Sequence, residues 1–316
     1  MNIVPNTLQT VVIAGASGFI GTHLVRRFTE AGVEVRTIGR SGPAVWGDTA
    51  AIASVLDGAD ALVNLAGRSV DCRYGKRNAD AIFSSRVDTT EELGRALALC
   101  RESGGTPPPV WMNSSTGTIY RHAMDRPQTE DDGDLGTGFS VSVARAWEQA
   151  LADAATPGVR KVALRIAIVL GPGSVMAPLS TLARTGLGGR MGPGTQKFSW
   201  IHLDDLYRAV VLIAATPTLE GPVNLAAPGV VTNAELMAAV RERLHVPAGL
   251  PTPAWLLELG GMIIRTEAEL VLKSRWVSPR KLLDAGFTFD YPTLGPALRQ
   301  ILTPDRVEAP APVRAH

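Results

Sequence analysis

Val11-Val12-Ile13-Ala14-Gly15-Ala16-Ser17-Gly18-Phe19-Ile20-Gly21, with Thr22-His23-Leu24-Val25-Arg26-Arg27-Phe28 behind it, decides the fold of this chain. A short β-branched run enters a glycine turn, and the turn opens an amphipathic helix. The spacing is G-x-x-G-x-x-G, and each glycine has a physical job. Gly15 turns the chain sharply off the strand, Gly18 leaves room for a pyrophosphate at the backbone, and Gly21 lets the helix lie close to the sheet. Ile20, Leu24, Val25, Phe28 and Ala31 fall on one helical stripe. Gly32 stands where a helix C-terminus favours a left-handed residue, and Val33 to Ile38 reads as the next strand. That completes a βαβ unit of about 30 residues. The candidate phosphate-cradle residues are Gly15, Ser17, Gly18, Phe19, Ile20 and Gly21.

Composition sets the class. A chain of 316 residues holds one large α/β domain plus a smaller one. At that size roughly 75% of the unfolded surface is buried, so no staples are needed. The residues are 45% hydrophobic and 19% charged, with 31 basic against 30 acidic, for a net charge of +1. Such a balance gives no bulk attraction to nucleic acid or to an anionic membrane. Cys72 and Cys100 are too few for a disulfide framework and fit no metal spacing. No metal ligand set is expected. No signal-like N-terminus or long uncharged apolar run is present, so the expected location is the cytoplasm.

Outward from the first unit, the end of the second strand faces the adenosine ribose in a dinucleotide fold. Gly39-Arg40-Ser41-Gly42 offers no carboxylate there, and Arg40 suits a 2′-phosphate, which favours NADP(H) over NAD. Ala44 to Asp48 reads as a short strand and turn. Asp60 to Gly67 is a buried strand whose end, Asn64, Leu65, Ala66 and Gly67, would meet a cofactor; Asn64 would equally bond its own backbone. Lys76 to about Leu99 is helical, and its Arg86 suits the cofactor region or a surface salt bridge. Val110 to Asn113 is a strand running into the hydroxyl cluster Ser114-Ser115-Thr116-Gly117-Thr118-Ile119-Tyr120, which suits a site that polarises a carbonyl or alcohol oxygen. Pro127 to Asp132 reads as an acidic, exposed loop.

Phe139 to Ala154 is a helix carrying Trp147 and Glu148, and Arg160 to Leu170 is one apolar strand. Arg165 inside that run needs a partner, structural or cofactor-side. Met176 to Arg184 is helical, and Gly186 to Gly194 is a loop placed over the site. Phe198 to Asp205 begins a helix, with Asp204 and Asp205 in its first turn. Val223 to Ala226 is a short strand, and Thr232 caps a helix from Asn233 to about Leu244. Pro251 to Leu302 reads as short helices, and 303–316 as a disordered tail. The fold class is α/β: a Rossmann-type doubly wound parallel sheet with a smaller, mostly helical C-terminal substrate domain. The Rossmann part is 9–170, with 197–227 returning to it; 171–196 and 228–302 form the smaller domain.

Together these segments resemble the extended short-chain dehydrogenase/reductase superfamily. The glycine turn, Asn64-Leu65-Ala66-Gly67 and Ser114-Ser115-Thr116 stand in that superfamily's order. More narrowly, the chain resembles the atypical branch of NAD(P)-dependent epimerase/dehydratase-like proteins. This rests on Ser85-Arg86-Val87, Trp147-Glu148, Val169-Leu170-Gly171-Pro172-Gly173, Phe198 to Asp205, Gly221-Pro222-Val223-Asn224, and a C-terminal block similar to a domain of unknown function. The resemblance implies an NADP(H)-binding oxidoreductase or nucleotide-sugar-epimerase-like protein transferring hydride at an oxygen-bearing carbon. Its partner would be a small molecule, a sugar nucleotide or carbonyl compound; whether it is a monomer or homodimer stays open. One departure matters: the superfamily's catalytic Tyr-x-x-x-Lys positions fall on Phe139 and Val143, which move no protons. The serine position keeps a hydroxyl at Ser115 or Thr116, and Tyr120 is the leading substitute proton donor, ahead of His122 and His202. The alternative is a non-catalytic NADP(H)-binding sensor or interaction protein.

Overall fold

A computed structural model of the chain describes residues 8–70, 72, 75–252 and 273–302. The expected C-terminal tail, the segment around Trp255 and the extreme N-terminus lie outside the described residues.

The elements follow the expected alternation. β1 (Thr10–Ala14), α1 (Phe19–Glu30), β2 (Glu34–Gly39), β3 (Ala44–Val45), α2 (Thr49–Leu56) and β4 (Ala61–Asn64) come first. α3 (Lys76–Glu102), β5 (Val110–Thr116), a 3₁₀ turn at Gly117–Ile119, α4 (Phe139–Asp153) and β6 (Arg160–Ile166) continue the layer. Then come β7 (Ile168–Leu170), α5 (Met176–Arg184), β8 (Lys197–Phe198), β9 (Trp200–His202), α6 (Leu203–Ala215) and β10 (Gly221–Leu225). β11 (Val231–Thr232), α7 (Asn233–Arg243), α8 (Arg280–Asp284) and α9 (Leu294–Leu302) complete the described chain.

Seven strands form one sheet in the order β10-β6-β5-β4-β1-β2-β3, and every pairing in it is parallel. The order reverses between β1 and β4. Connections leave that point in opposite directions, which opens a crevice at the strands' carboxyl ends, where α/β sheets bind ligands. β1 and β4 are buried along their whole length, as strands covered on both faces must be. The period of two splits β1 between two cores. Val11 and Ile13 join Leu24, Phe28, Leu206 and Val210 on one face, while Val12 and Ala14 join Ile52, Leu56, Leu93 and Trp111 on the other. A third cluster, with Met176, Leu179, Leu236, Met237 and Leu298, lies beyond the carboxyl edge. Leu282, Phe287 and Phe289 belong instead to the first core, so the chain from α8 onward returns to the sheet before α9 joins the third cluster.

Three readings change. The apolar run from Arg160 to Leu170 is two strands: β6 stays in the main sheet, and β7 pairs with β9. A continuous apolar run does not record where a chain changes sheets. Phe198 to His202 carries β8 and β9, and the helix begins only at Leu203. Pro127 to Asp132 is not wholly exposed, since Gln128 is 0% and Glu130 8% exposed. Glu130 Oε1 accepts the backbone N–H of Asn224 and of Lys281, so it joins β10 to α8. Among the described residues, no helix is long and apolar enough to cross a membrane.

Candidate active site

The crevice is made by close backbone contact. Gly15 has φ +79°, and a Cβ there would lie 2.7 Å from the Leu65 carbonyl carbon and 2.8 Å from the Ala66 nitrogen. The turn after β1 thus rests on the turn after β4. A Cβ on Gly21 would come 2.3 Å from the Gly15 oxygen, so α1 approaches the turn only because glycine stands there. Gly18 donates its N–H to Gly15 O at 3.1 Å and forms the N-cap of α1 with no side chain capping the helix. Ser17 and Gly18 are exposed, while Phe19 and Ile20 are half-buried against the first core. An uncapped helix start carries outward N–H groups and the positive end of a dipole, which suits a phosphate. Arg40 follows β2, exposed, and makes no hydrogen bond or ion pair with the described residues. These residues fit a phosphorylated dinucleotide.

The β4 end is shaped by a buried amide. Asn64 is 0% exposed; its Oδ1 accepts the Ala66 N–H at 2.9 Å and its Nδ2 donates to Asn113 Oδ1 at 2.6 Å. Trp147 Nε1 donates to Thr90 Oγ1, which donates to the Arg86 carbonyl. The Arg86 guanidinium stacks 5.1 Å over the Trp147 ring and passes under Gly67, where a Cβ would lie 3.3 Å from it. Of the two readings open for Asn64, these bonds are those of a side chain that holds its own turn. Leu65, Ala66 and Gly67 present backbone at the crevice, with Gly67 exposed.

A second polar set lies under the β5, β6 and β10 ends. Ser115 Oγ donates to Glu148 Oε1 at 2.6 Å. Arg165 grips the same carboxylate with Nε at 2.9 Å and Nη2 at 2.8 Å, and its Nη1 donates to the Tyr120 hydroxyl at 2.8 Å. Tyr120 passes its own proton to Asn224 Oδ1 at 2.9 Å, and Asn224 Nδ2 donates to the Ser278 carbonyl. Burial pushes the Tyr120 phenol above its ordinary range. Burial opposes the Arg165 charge, but the Glu148 hydrogen bond and charge outweigh it and hold the proton more tightly than usual. Tyr120 is 1% exposed and Arg165 6%, and neither lines the cavity described below. Tyr120 thus sits inside a hydrogen-bonded network away from that cavity, and of the two readings open for Arg165 the Glu148 bonds are those of the structural one. Ser115 is likewise spent on Glu148.

His202 is the N-cap of α6, its Nδ1 accepting Asp204 N at 3.1 Å. Burial lowers its pKa, and its role is structural. His122 Nδ1 accepts the Ser274 N–H, which ties down the segment before α8.

What faces open space is different. A cavity of about 680 Å³ lies between the carboxyl edge of the sheet and the third core. Thr116, Thr118 and Ile168 line one side, and Leu179, Asn233 and Leu236 the other. Of the expected catalytic hydroxyls, Thr116 reaches it and Ser115 does not. Met191, from the Gly186 to Gly194 loop, also lines it. The sequence reading passed over Asn233, which is only a helix-start residue by pattern, and Thr118, which lay in the hydroxyl cluster without a role.

Residues 11–226 match the NAD dependent epimerase/dehydratase family, and residues 252–301 match a domain of unknown function, DUF1731. The chain belongs to the NAD dependent epimerase/dehydratase family. Epimerase family protein SDR39U1 of Bos taurus is 33% identical over 302 residues, covering 92% of this chain and 99% of its own. The crystal structure of human epimerase family protein SDR39U1 (isoform 2) with NADPH is 30% identical and superposes with a TM-score of 0.82, covering 92% of this chain and 98% of that one. A nucleoside-diphosphate sugar epimerase from Corynebacterium glutamicum is 29% identical with a TM-score of 0.74, covering 94% of this chain and 59% of that one. Within the family, this member has Phe139 and Val143 on α4, with Val143 buried.

Proposed function

We propose that this protein binds NADPH along the crevice from the glycine turn to Arg40 and transfers hydride at an oxygen-bearing carbon of a small molecule held in the adjoining cavity. The observation that carries the reading is the glycine turn opening an uncapped helix at the point where the strand order reverses. The human relative crystallised with NADPH supports the same cofactor. The turn residues 15–21 would hold the pyrophosphate, the backbone at Leu65 to Gly67 would pass beneath the cofactor, and Arg40 would grip a 2′-phosphate. When bound, the nucleotide supplies or accepts a hydride. The protein's own part is to hold the substrate oxygen. Thr116 donates its proton to Thr118 Oγ1 at 3.0 Å and accepts the Thr118 N–H at 3.1 Å. That arrangement leaves the Thr118 hydroxyl proton to bond a carbonyl oxygen.

Fluorescence titration with NADPH and NADH tests the cofactor reading. NADPH should bind at least about tenfold tighter, and Arg40→Glu should abolish that preference, since a charge-assisted arginine–phosphate contact is worth about 1.5–3 kcal/mol. Equal affinities in the unmodified protein overturn it.

A second reading, an NADPH-binding protein without turnover, is favoured by one observation: the Ser115 and Tyr120 hydroxyls are already engaged inside the protein. A substrate-dependent change in NADPH absorbance removes it; a partner captured only in the presence of NADPH, with no turnover, sustains it.

A further inference from the structure

One wall of the cavity comes from the stretch that matches a domain of unknown function. Arg275 and Val277, just before α8, line it, two residues apart as alternate positions of a strand-like segment fall. The segment from Ser274 to Ser278 is bonded on both sides. Toward the loop after Tyr120, the Ser274 N–H donates to His122 Nδ1 at 3.1 Å, the Gln128 N–H to Trp276 O at 2.6 Å, and the Ser278 N–H to Gln128 O at 2.9 Å. Toward β8, the Arg275 N–H donates to Lys197 O at 2.9 Å. Ser199 completes that side with one hydroxyl, which accepts the Val277 N–H at 2.8 Å and donates to the Arg275 carbonyl at 2.8 Å.

Val277 is what this wall presents at the Thr118 end. A Cβ on Gly117 would lie 3.1 Å from Val277 Cγ2, and Gly117 stands between Thr116 and Thr118. The valine therefore closes directly on the turn that carries the Thr118 hydroxyl, and it comes so near because the residue under it is glycine. Val277 is buried, and it packs with Ile119 and Ala226 as well as lining the cavity. Its backbone moves away from Gly117 only by breaking the bonds to Ser199, which is 1% exposed, so no solvent is at hand to replace them. The width at this end is built in before a ligand arrives.

We propose that Val277 sets the width of the cavity at the Thr118 hydroxyl, with Ser199 as the positioning residue that holds it there. The segment of unknown function thereby selects substrates with a compact group beside the reacting oxygen and rejects those with a ring in that place. The proposal rests on the reading of Thr118 as the group that bonds the reacting oxygen.

Thiol labelling of the full chain reads that width without a substrate. Cys72→Ser removes the half-buried thiol and leaves the buried Cys100, and Thr118→Cys then places a thiol at the reacting end. The probes are methyl and benzyl methanethiosulfonate, their rates at position 118 followed by peptide mass spectrometry and divided by those with free cysteine. The methyl reagent should react at least about tenfold faster, since a methyl group more or less in a tight pocket discriminates by roughly 10–200-fold. Added to this background, Val277→Ala should cut the ratio by at least about fivefold, Val277→Leu should raise it, and Val277→Thr, of the same shape, should leave it alone. Ser199→Ala should cut it as well. A valine that serves packing alone would lower the urea midpoint and leave the ratio where it was. A folded Val277→Ala variant with an unchanged ratio, or a thiol at 118 that neither reagent reaches, overturns the proposal; should that variant not fold, equal ratios in Val277→Thr and Val277→Leu overturn it. An unchanged ratio in Ser199→Ala overturns the part assigned to Ser199. Failure of NADP+ to bind the Cys72→Ser chain overturns the cofactor reading instead, and the labelling, run without nucleotide, still decides the wall.

Discussion

Two sets of polar groups meet the carboxyl edge of one sheet, and they are opposite in kind. At the β1–α1 turn and the end of β2 the groups are uncapped backbone N–H and the exposed Arg40, open to solvent. Under β5, β6 and β10 they are side chains with full partners, from Ser115 through Glu148, Arg165 and Tyr120 to Asn224. Both are rich in residue types that do chemistry. What separates them is whether their hydrogen-bonding capacity is already used. A hydroxyl whose proton is committed to a buried carboxylate has little left for a substrate, whatever its place in sequence. The first set leaves its donors open, and the second ties β5, β6 and β10 to each other and to the segment just before α8.

The contrast breaks most visibly at Glu148. Glu148→Ala should strand the Arg165 guanidinium, 6% exposed, without its bidentate partner. Losing one member of a buried pair costs about 3–5 kcal/mol, read as a lower urea midpoint with an unchanged slope. A variant of undiminished stability that has lost nucleotide binding would move the second set into the functional class. Next in size, Gly21→Ala places a methyl 2.3 Å from the Gly15 oxygen. The forced shift should cost about 1–3 kcal/mol and weaken NADPH by more than tenfold in the same titration. A turn that absorbs the methyl with nucleotide affinity intact would show that close approach of α1 is not what shapes the cradle. The smallest effect is expected for Tyr120→Phe. It removes a hydroxyl from between Arg165 and Asn224 and should cost about 1–2 kcal/mol. NADPH affinity should not change, and any turnover should persist. Turnover abolished at unchanged stability would restore Tyr120 as the proton donor.

The sheet was legible because its signals are local. A glycine at φ +79° after Ala14 and a 3.6-residue stripe from Ile20 to Phe28 are read within twenty residues of each other. The partners of polar side chains were not. Arg165 announced its need for a counter-charge, but Glu148 supplies it from another element. Asn64 acts through Asn113 on the neighbouring strand, and Asn233 through Met191, 42 residues before it. Glu130 stood in a run of acidic residues that pattern alone assigns to solvent, and only the fold brings the Asn224 and Lys281 N–H groups to it. Sequence period reports which face a residue takes; it does not report whether that residue's donors are already spent.

Asn224 carries one more consequence, for synthesis. It bonds Tyr120, Gln128 and Ser278, at separations of 104, 96 and 54 residues. A nascent chain that has just released β10 already holds the two earlier partners but not the third. At about 5–20 residues per second, roughly 3–11 s pass before Ser278 follows. Through that interval β10, the outer edge of the sheet, stands on the ribosome without the segment that finally secures it.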